Sequence, residues 1–135
     1  MQPVLMYDTT LRDGTQGENI MFSAEEKVKI ALRLDDIGIH YIEGGWPGSN
    51  PRDMRFFELA HTIEYKTARL AAFVSTRKPG FRAGEDENLK ALIASNAPEI
   101  TFFVKSWDLH VEKIIEIPLA ENIAMVSESV AFLKE

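Results

Sequence analysis

The sequence repeats one pattern four times: a short apolar run, a polar loop, and a segment whose apolar residues recur with helical spacing. Short apolar runs that end in polar loops are typical of buried strands, and apolar residues at every third or fourth position predict helices. Strands that alternate with helices indicate an α/β fold with a parallel sheet. The predicted strands are 4–7, 40–45, 69–75 and 99–105; the predicted helices start near 24, 51, 86 and 121, with a shorter turn at 110–115.

Two architectures fit this order of elements: an open doubly wound sheet, and half of an eight-stranded TIM (β/α)8 barrel. The pattern alone does not choose between them. A complete barrel takes about 250 residues, so 135 residues would supply four βα units, which is a truncated or half barrel. Because no linker or shift in composition divides the chain, we predict one unit over residues 1–135.

Helix boundaries are marked by residues that satisfy free backbone groups. Ser23 and Glu26 form the sequence signature of a capping box, and Gly38 is a natural helix terminator. Asn50 followed by Pro51 predicts a second helix start. The apolar faces behind these caps consist of Ile30, Ala31, Leu34 and Ile37 in the first helix and of Phe56, Phe57, Ala60 and Ile63 in the second.

Composition excludes several classes of function. The net charge is −6 and the 15 basic residues are spread along the chain, which argues against nucleic-acid binding. The absence of cysteine excludes disulfides and thiolate metal sites. No apolar stretch approaches the roughly 20 residues that span a bilayer, and no signal peptide is visible. We therefore expect a cytoplasmic protein that does not bind membranes.

Polar side chains cluster where the predicted strands end. The carboxyl ends of parallel strands meet at one edge of a sheet or barrel, and binding sites form there. Carboxylates, guanidinium groups and an imidazole at one edge suit an anionic, oxygen-rich ligand and a hard divalent cation. These residues are Asp8, Arg12, Asp13, Gln16, Glu43, Ser75, Thr76, Arg77, Lys105, Ser106, Asp108 and His110.

Four of these residues carry the chemical argument. Asp13 can bind a hard cation, whereas the always-charged Arg12 can stabilise an oxyanion; the alternative is an exposed ion pair at a strand end. Glu43 lies inside an apolar strand, where a carboxylate needs a partner such as Arg12 or a metal; the alternative is an edge residue facing water. His110 fits a substrate contact or an ordinary surface histidine.

Three segments resemble one enzyme family. Residues 7–16, Tyr-Asp-Thr-Thr-Leu-Arg-Asp-Gly-Thr-Gln, resemble the first-strand signature of the metal-dependent TIM-barrel superfamily that includes citramalate and isopropylmalate synthases and hydroxymethylglutaryl-CoA lyase. Residues 41–51 and 105–111 look like the citramalate synthase branch. Isopropylmalate synthases more often carry Ile-Glu-Ala-Gly-Phe-Pro at the second strand, so Gly44 and Trp46 depart from that branch.

The resemblance implies a role for each candidate residue. Asp13 would bind a divalent cation (Mg, Mn or Zn), and Arg12 would neutralise the substrate ketone oxygen as it becomes an alkoxide. Glu43 would orient Arg12 and the metal site, and Gln16 would order the same loop. The expected contacts to substrate carboxylate or acetyl-CoA are Arg77, Lys105, Ser106 and His110.

The chemistry implied is a Claisen-type condensation of acetyl-CoA with pyruvate, which gives citramalate and CoA. An isopropylmalate synthase acting on 2-oxoisovalerate is the alternative enzyme, and a non-catalytic half-barrel assembly module is the alternative from another class. The family's other metal ligands, a His-x-His pair on a later strand, have no counterpart in the sequence. We therefore expect the chain to be the N-terminal half of the catalytic domain of a longer, homodimeric enzyme, inactive alone.

Overall fold

A computed structural model describes residues 2–134 of the chain. Its four strands form one parallel sheet, and they lie side by side in the order in which they occur in the sequence. A doubly wound sheet requires the strand order to reverse at a switch point, so this order decides for the barrel. The strands are β1, Tyr7–Asp8; β2, Tyr41–Gly45; β3, Arg69–Ser75; and β4, Glu99–Phe103.

Helices connect the strands and follow the last of them. The main helices are α1, Ala24–Asp36; α2, Pro51–Ala60; α3, Glu87–Ala94; α4, Asp108–His110, which continues as a π-helical turn over Val111–Ile115; and α5, Leu119–Lys134. Two 3-10 turns, Gly14–Gln16 and Ala83–Glu85, lie in the loops after β1 and β3. Every predicted strand and helix is present, although their ends differ by a few residues. None of the helices in residues 2–134 is long and apolar enough to cross a bilayer.

The predicted caps are confirmed. Ser23 Oγ accepts a hydrogen bond from Glu26 N at 3.1 Å, and Glu26 Oε2 accepts one from Ser23 N at 2.7 Å. Asn50 Oδ1 accepts one from Arg52 N at 2.9 Å, immediately before Pro51 at the first position of α2. Gly38 follows α1 with a φ of 84°, a left-handed conformation that favours glycine.

The hydrophobic core lies between the sheet and the helices that cover one of its faces. Alternate residues of the central strands point toward the helices because side chains of a strand alternate between its two faces. On β3 the helix-facing side chains are Leu70, Ala72 and Val74, which join Ile42 of β2 in one buried cluster. The helices contribute Ala31, Phe56, Phe57, Ala60, Leu89 and Leu92 to that cluster.

The other face of the sheet is concave and lined with aromatic side chains. The hydroxyl groups of Tyr7 on β1 and Thr101 on β4 are hydrogen-bonded across it. In a flat sheet the first and fourth strands would be about 14 Å apart, three strand spacings of about 4.8 Å, so this contact requires strong curvature. The sheet is therefore a segment of a barrel wall, with the helices outside.

Two details of the sequence prediction are wrong. Residues 4–7 were expected to form a buried strand, but Val4 is 84% exposed and only Tyr7 and Asp8 pair with β2. In the part of the chain that the structure describes, β1 has a neighbouring strand on one side only, and the residues before it are exposed for this reason. Ile37 was placed on the apolar face of α1, yet it is exposed because the helix ends at Asp36 and Ile37 belongs to the cap.

Candidate active site

The loop after β1 is held in shape by its own hydrogen bonds. Thr9 O accepts from the backbone N–H groups of Arg12, Asp13 and Gly14, at 3.2, 2.9 and 3.1 Å. Three donors on one carbonyl wind the chain tightly around it. Buried Leu11 anchors the turn in the core. Arg12 and Asp13 are therefore presented from a rigid loop at the carboxyl edge of the sheet.

Arg12 and Glu43 form a bidentate ion pair. Arg12 Nε donates to Glu43 Oε1 at 3.1 Å, and Arg12 Nη2 donates to Glu43 Oε2 at 3.2 Å. Arg12 Nη1 donates to Asp13 Oδ1 at 3.0 Å, and the guanidinium carbon lies 4.1 Å from the ring centroid of Phe73. Two parallel hydrogen bonds and a stacked aromatic ring fix the plane of the guanidinium group.

The two carboxylates beside Arg12 differ in exposure. Glu43 is 1% exposed, and a carboxylate this deeply buried is stable only when it is paired and hydrogen-bonded. The Asp13 side chain is 59% exposed, and only its Oδ1 is paired with Arg12. One carboxylate therefore maintains the position of the guanidinium, while the other is accessible to a ligand.

Asp13 suits a hard cation as one oxygen ligand. A divalent cation such as Mg²⁺ takes about six oxygen ligands, some of them water. Within residues 2–134 no group of three His, Asp or Glu side chains is arranged to hold a metal ion. The described residues thus provide one fitting ligand rather than a complete metal site.

A buried lysine and aspartate next to this site were missed by the sequence analysis. Lys27 Nζ donates to Gly44 O at 2.8 Å and to Asp53 Oδ1 at 2.5 Å, and Asp53 Oδ2 accepts from Trp46 N at 2.9 Å. Burial has the largest effect on the pKa of Lys27 and lowers it, whereas Asp53 opposes that shift. A signal was present, since Lys27 lies three residues after Ala24 and four before Ala31, in the buried stripe of α1.

A cavity of about 250 Å³ opens beside Arg12, between the loops that follow β1 and β2. Gln16 lines it together with Arg12, so the structure brings these two predicted site residues to one cavity. The remaining lining residues are Thr15, Ile20, Met21, Phe22, Lys27, Trp46, Ser49, Asn50, Arg52 and Asp53. The cavity is thus lined by Arg12 of the first ion pair and by both Lys27 and Asp53 of the second.

The predicted residues after β3 and β4 make no hydrogen bond or ion pair with Arg12 in the part of the chain that the structure describes. Arg77 and Lys105 line a different cavity, of about 180 Å³. Lys105 Nζ lies over the ring of Phe103 at 4.7 Å, and the ring of His110 is 4.6 Å from that of Trp107. Ser106 is exposed in the loop after β4. The structure therefore brings Arg12, Asp13, Gln16 and Glu43 together, whereas Lys105 is linked to Arg12 only through the packed rings of Phe73 and Phe103.

Arg77 is a buried anchor for α5. Its Nε donates to Glu128 at 2.6 Å, its Nη1 donates to Glu121 at 2.8 Å, and its backbone N donates to Ser129 Oγ at 2.8 Å. The hydrogen-bonded carboxylates raise the pKa of the guanidinium above its ordinary value. Because its Nε and Nη1 donors are used within the fold, the structure indicates a role in attaching α5 that the sequence analysis did not foresee.

Replacing Arg77 with methionine should therefore lower the free energy of unfolding by about 1.5 kcal/mol, the lower end for hydrogen bonds to charged groups, since both carboxylates are partly exposed. Urea denaturation measures the change. Arg33→Met is the matched control, because Arg33 makes an exposed, 3.5 Å ion pair with Asp36, and we expect it to cost less than about 0.5 kcal/mol. Equal losses in the two variants would contradict the anchoring role.

Comparison with known proteins agrees with this geometry. The model of the HMGL-like family matches residues 3–135. The chain belongs to the HMGL-like family. It is 50% identical over 133 residues to the (R)-citramalate synthase of Aquifex aeolicus, and 31% identical over 137 aligned positions to the 2-isopropylmalate synthase of Listeria innocua. These matches cover 98% and 100% of the chain, which spans about a quarter of the length of each relative.

Solved structures of HMG-CoA lyases support the barrel. An HMG-CoA lyase from Acinetobacter baumannii, in complex with coenzyme A and 3-methylmalate, superimposes with a TM-score of 0.69 at 18% identity. An HMG-CoA lyase from Brucella melitensis gives 0.63 at 21% identity. The matches cover 96% and 95% of this chain, and 41% and 44% of those chains. At these identities the likeness concerns the fold, and it identifies the curved sheet as part of a TIM barrel.

Proposed function

We propose that this chain provides the first half of the catalytic barrel of a longer enzyme that condenses acetyl-CoA with pyruvate and then hydrolyses the thioester with water, giving citramalate and CoA. The observation that carries the proposal is the Arg12–Glu43 pair. It holds the guanidinium rigidly beside the accessible carboxylate of Asp13, at the carboxyl edge of the sheet. The 50% identity to a citramalate synthase over nearly the whole chain favours pyruvate as the 2-oxo acid. The alternative acceptor is 2-oxoisovalerate.

Arg12 has donors left for the reaction. A guanidinium group carries five N–H groups; Glu43 takes two of them and Asp13 takes one. The two that remain belong to Nη1 and Nη2. They would donate to the ketone oxygen of the 2-oxo acid as attack at the carbonyl carbon turns it into an alkoxide. A preorganised cation at this oxygen lowers the barrier because charge develops there in the transition state.

The charges of the site suit the binding of a divalent cation first and of an anionic substrate after it. Arg12, Asp13 and Glu43 together carry a net charge of −1, which attracts a cation. Asp13 would hold this metal through its accessible carboxylate, and residues beyond the described chain would complete its ligands. When bound, the metal supplies Lewis-acid polarisation of the substrate carbonyl. Glu43 keeps Arg12 in place through its two hydrogen bonds.

The remaining candidates are assigned to substrate contacts. Gln16 would contact the ligand in the cavity beside Arg12. Lys105 and Ser106 in the loop after β4, and His110 at the end of α4, would contact acetyl-CoA. Arg77 stays a weaker candidate because its guanidinium is engaged by α5. We further propose that the whole enzyme is cytoplasmic and homodimeric.

The proposal is tested by assaying the full-length protein for CoA release from acetyl-CoA, with and without Mg²⁺, Mn²⁺ or Zn²⁺. We expect kcat/KM for pyruvate to exceed that for 2-oxoisovalerate by at least about tenfold, since a hydrophobic pocket distinguishes a single methylene group by about 10–200-fold and 2-oxoisovalerate is the larger acid by more than that. Preference for 2-oxoisovalerate would overturn the choice of substrate. Absence of turnover with both acids would support a non-catalytic assembly module.

A further inference from the structure

We propose that Lys27 and Asp53 act as positioning residues for the Arg12–Glu43 pair; the inference rests on the proposed function. The two side chains hold the chain segment directly after Glu43, although they come from two different helices, α1 and α2. Neither residue belongs to the loops in which the predicted site residues lie.

The hydrogen bonds of the pair converge on this segment. Lys27 Nζ binds Gly44 O, and the two oxygens of Asp53 bind Lys27 Nζ and Trp46 N. A carbonyl and an amide two residues apart are thus fixed by one buried ion pair. Because Gly44 is bonded to Glu43, the position of the Glu43 backbone follows from these contacts.

Gly45 shows how closely the carboxylate approaches the backbone. Its φ is 151°, and a Cβ added to it would lie 2.4 Å from Asp53 Cγ and 2.5 Å from Asp53 Oδ2. The strand register also shifts between Glu43 and Gly45 against β3. Asp53 therefore packs directly against the backbone at the irregular end of β2, and a side chain at position 45 would clash with it.

Packing transmits this position to Arg12. The ring of Trp46 lies 5.3 Å from that of Phe73 in an edge-to-face arrangement, and Phe73 is the ring against which the Arg12 guanidinium stacks. Lys27 and Asp53 thus reach Arg12 by two routes, through Glu43 and through Trp46 with Phe73. A shift in the segment would disturb both contacts at once.

A buried ion pair of this kind is a weak device for stability. Replacing one with apolar residues is often neutral, because desolvation of the charges offsets their attraction. The Lys27–Asp53 pair instead fixes the geometry of the segment after Glu43, because it binds two backbone atoms there, Gly44 O and Trp46 N. The pair therefore matters more for the orientation of the site than for the stability of the fold.

The test compares Asp53→Asn with Asp35→Asn in the full-length protein. Asp35 is the matched control: it is a buried aspartate near the end of α1, and it accepts hydrogen bonds from the backbone of Lys66, Thr67 and Ala68 before β3, at the opposite edge of the sheet. We expect both variants to lower Tm. Only Asp53→Asn should lower kcat, by about tenfold or more, because misplaced catalytic groups reduce the rate steeply, while KM for acetyl-CoA stays within twofold.

Coupling to Glu43 distinguishes positioning from stability. In a Glu43→Gln background, Asp53→Asn should reduce kcat by a smaller factor than it does in the parent protein, because one of the two routes through which it positions Arg12 is already impaired. Should Asp53→Asn fold poorly, the neutral pair Lys27→Met with Asp53→Asn avoids an unpaired buried charge and is measured in the same way. Equal losses of kcat with Asp35→Asn, or a full additional loss in the Glu43→Gln background, would overturn the inference. An inactive parent protein would instead overturn the proposed function.

Discussion

Replacing Arg12 with lysine in the full-length protein should lower kcat by about 10²–10³, the effect of removing one preorganised donor at a developing oxyanion. Lysine keeps the positive charge but has no planar fork, so it cannot bind both oxygens of Glu43 and still direct donors at a substrate. Steady-state measurement of CoA release gives the value, and KM for pyruvate should change much less than kcat.

Arg55→Lys is the control for Arg12→Lys. Arg55 is exposed on α2 and pairs with Glu58 one turn later at 2.9 Å, so the same substitution there should leave kcat within about twofold, as expected for an exposed helix pair. If Arg12→Lys raised KM for pyruvate and left kcat unchanged, Arg12 would bind substrate equally in the ground state and the transition state. That result would contradict its assignment to the developing alkoxide.

Replacing Gly44 with alanine should lower the free energy of unfolding by about 3 kcal/mol, the upper part of the range for overpacking a core. A Cβ at this position would lie 2.2 Å from Phe56 Cε1 and 3.0 Å from Phe57 Cζ. Both phenylalanines are buried and pack edge to face, so neither ring has room to move. Urea denaturation followed by circular dichroism measures the change.

Gly84→Ala provides the comparison for Gly44→Ala. Its Cβ would meet Phe132 Cε2 at 3.4 Å, an ordinary contact, and we expect a change within about 0.5 kcal/mol. A similarly small change in the free energy of unfolding for Gly44→Ala would mean that α2 can move away from β2 without destabilising the fold. The close approach of helix and strand would then have no part in holding the segment after Glu43.

The elements of the fold could be predicted because they depend on local signals. Ser23 with Glu26 and Asn50 with Pro51 mark helix starts through bonds between residues at most three apart. Arg69–Ser75 was predicted with its observed bounds because a continuous apolar run fills the centre of the sheet. The exposure of residues 4–6 was not predictable, because whether they are buried depends on what lies beside the outer edge of β1.

The candidate site could be predicted in part. The clustering of Arg12, Asp13 and Glu43 follows from parallel strands, whose carboxyl ends meet at one edge. Arg77 satisfies the same rule, yet its guanidinium turns to Glu121 and Glu128 on α5. A rule about strand ends places residues at an edge, but it does not specify which of several charged partners each side chain reaches.

The sequence by itself determined the family, the order of strands and helices, and the loop that carries Arg12 and Asp13, because these depend on residues close together in the chain. Only the tertiary structure decided that the sheet curves as a barrel wall, that Glu43 takes two donors of Arg12, and that Lys27 and Asp53 hold the segment after it. The Arg12–Glu43 and Lys27–Asp53 ion pairs join residues 31 and 26 positions apart. Distances of that kind are set by packing between elements, which local patterns do not encode.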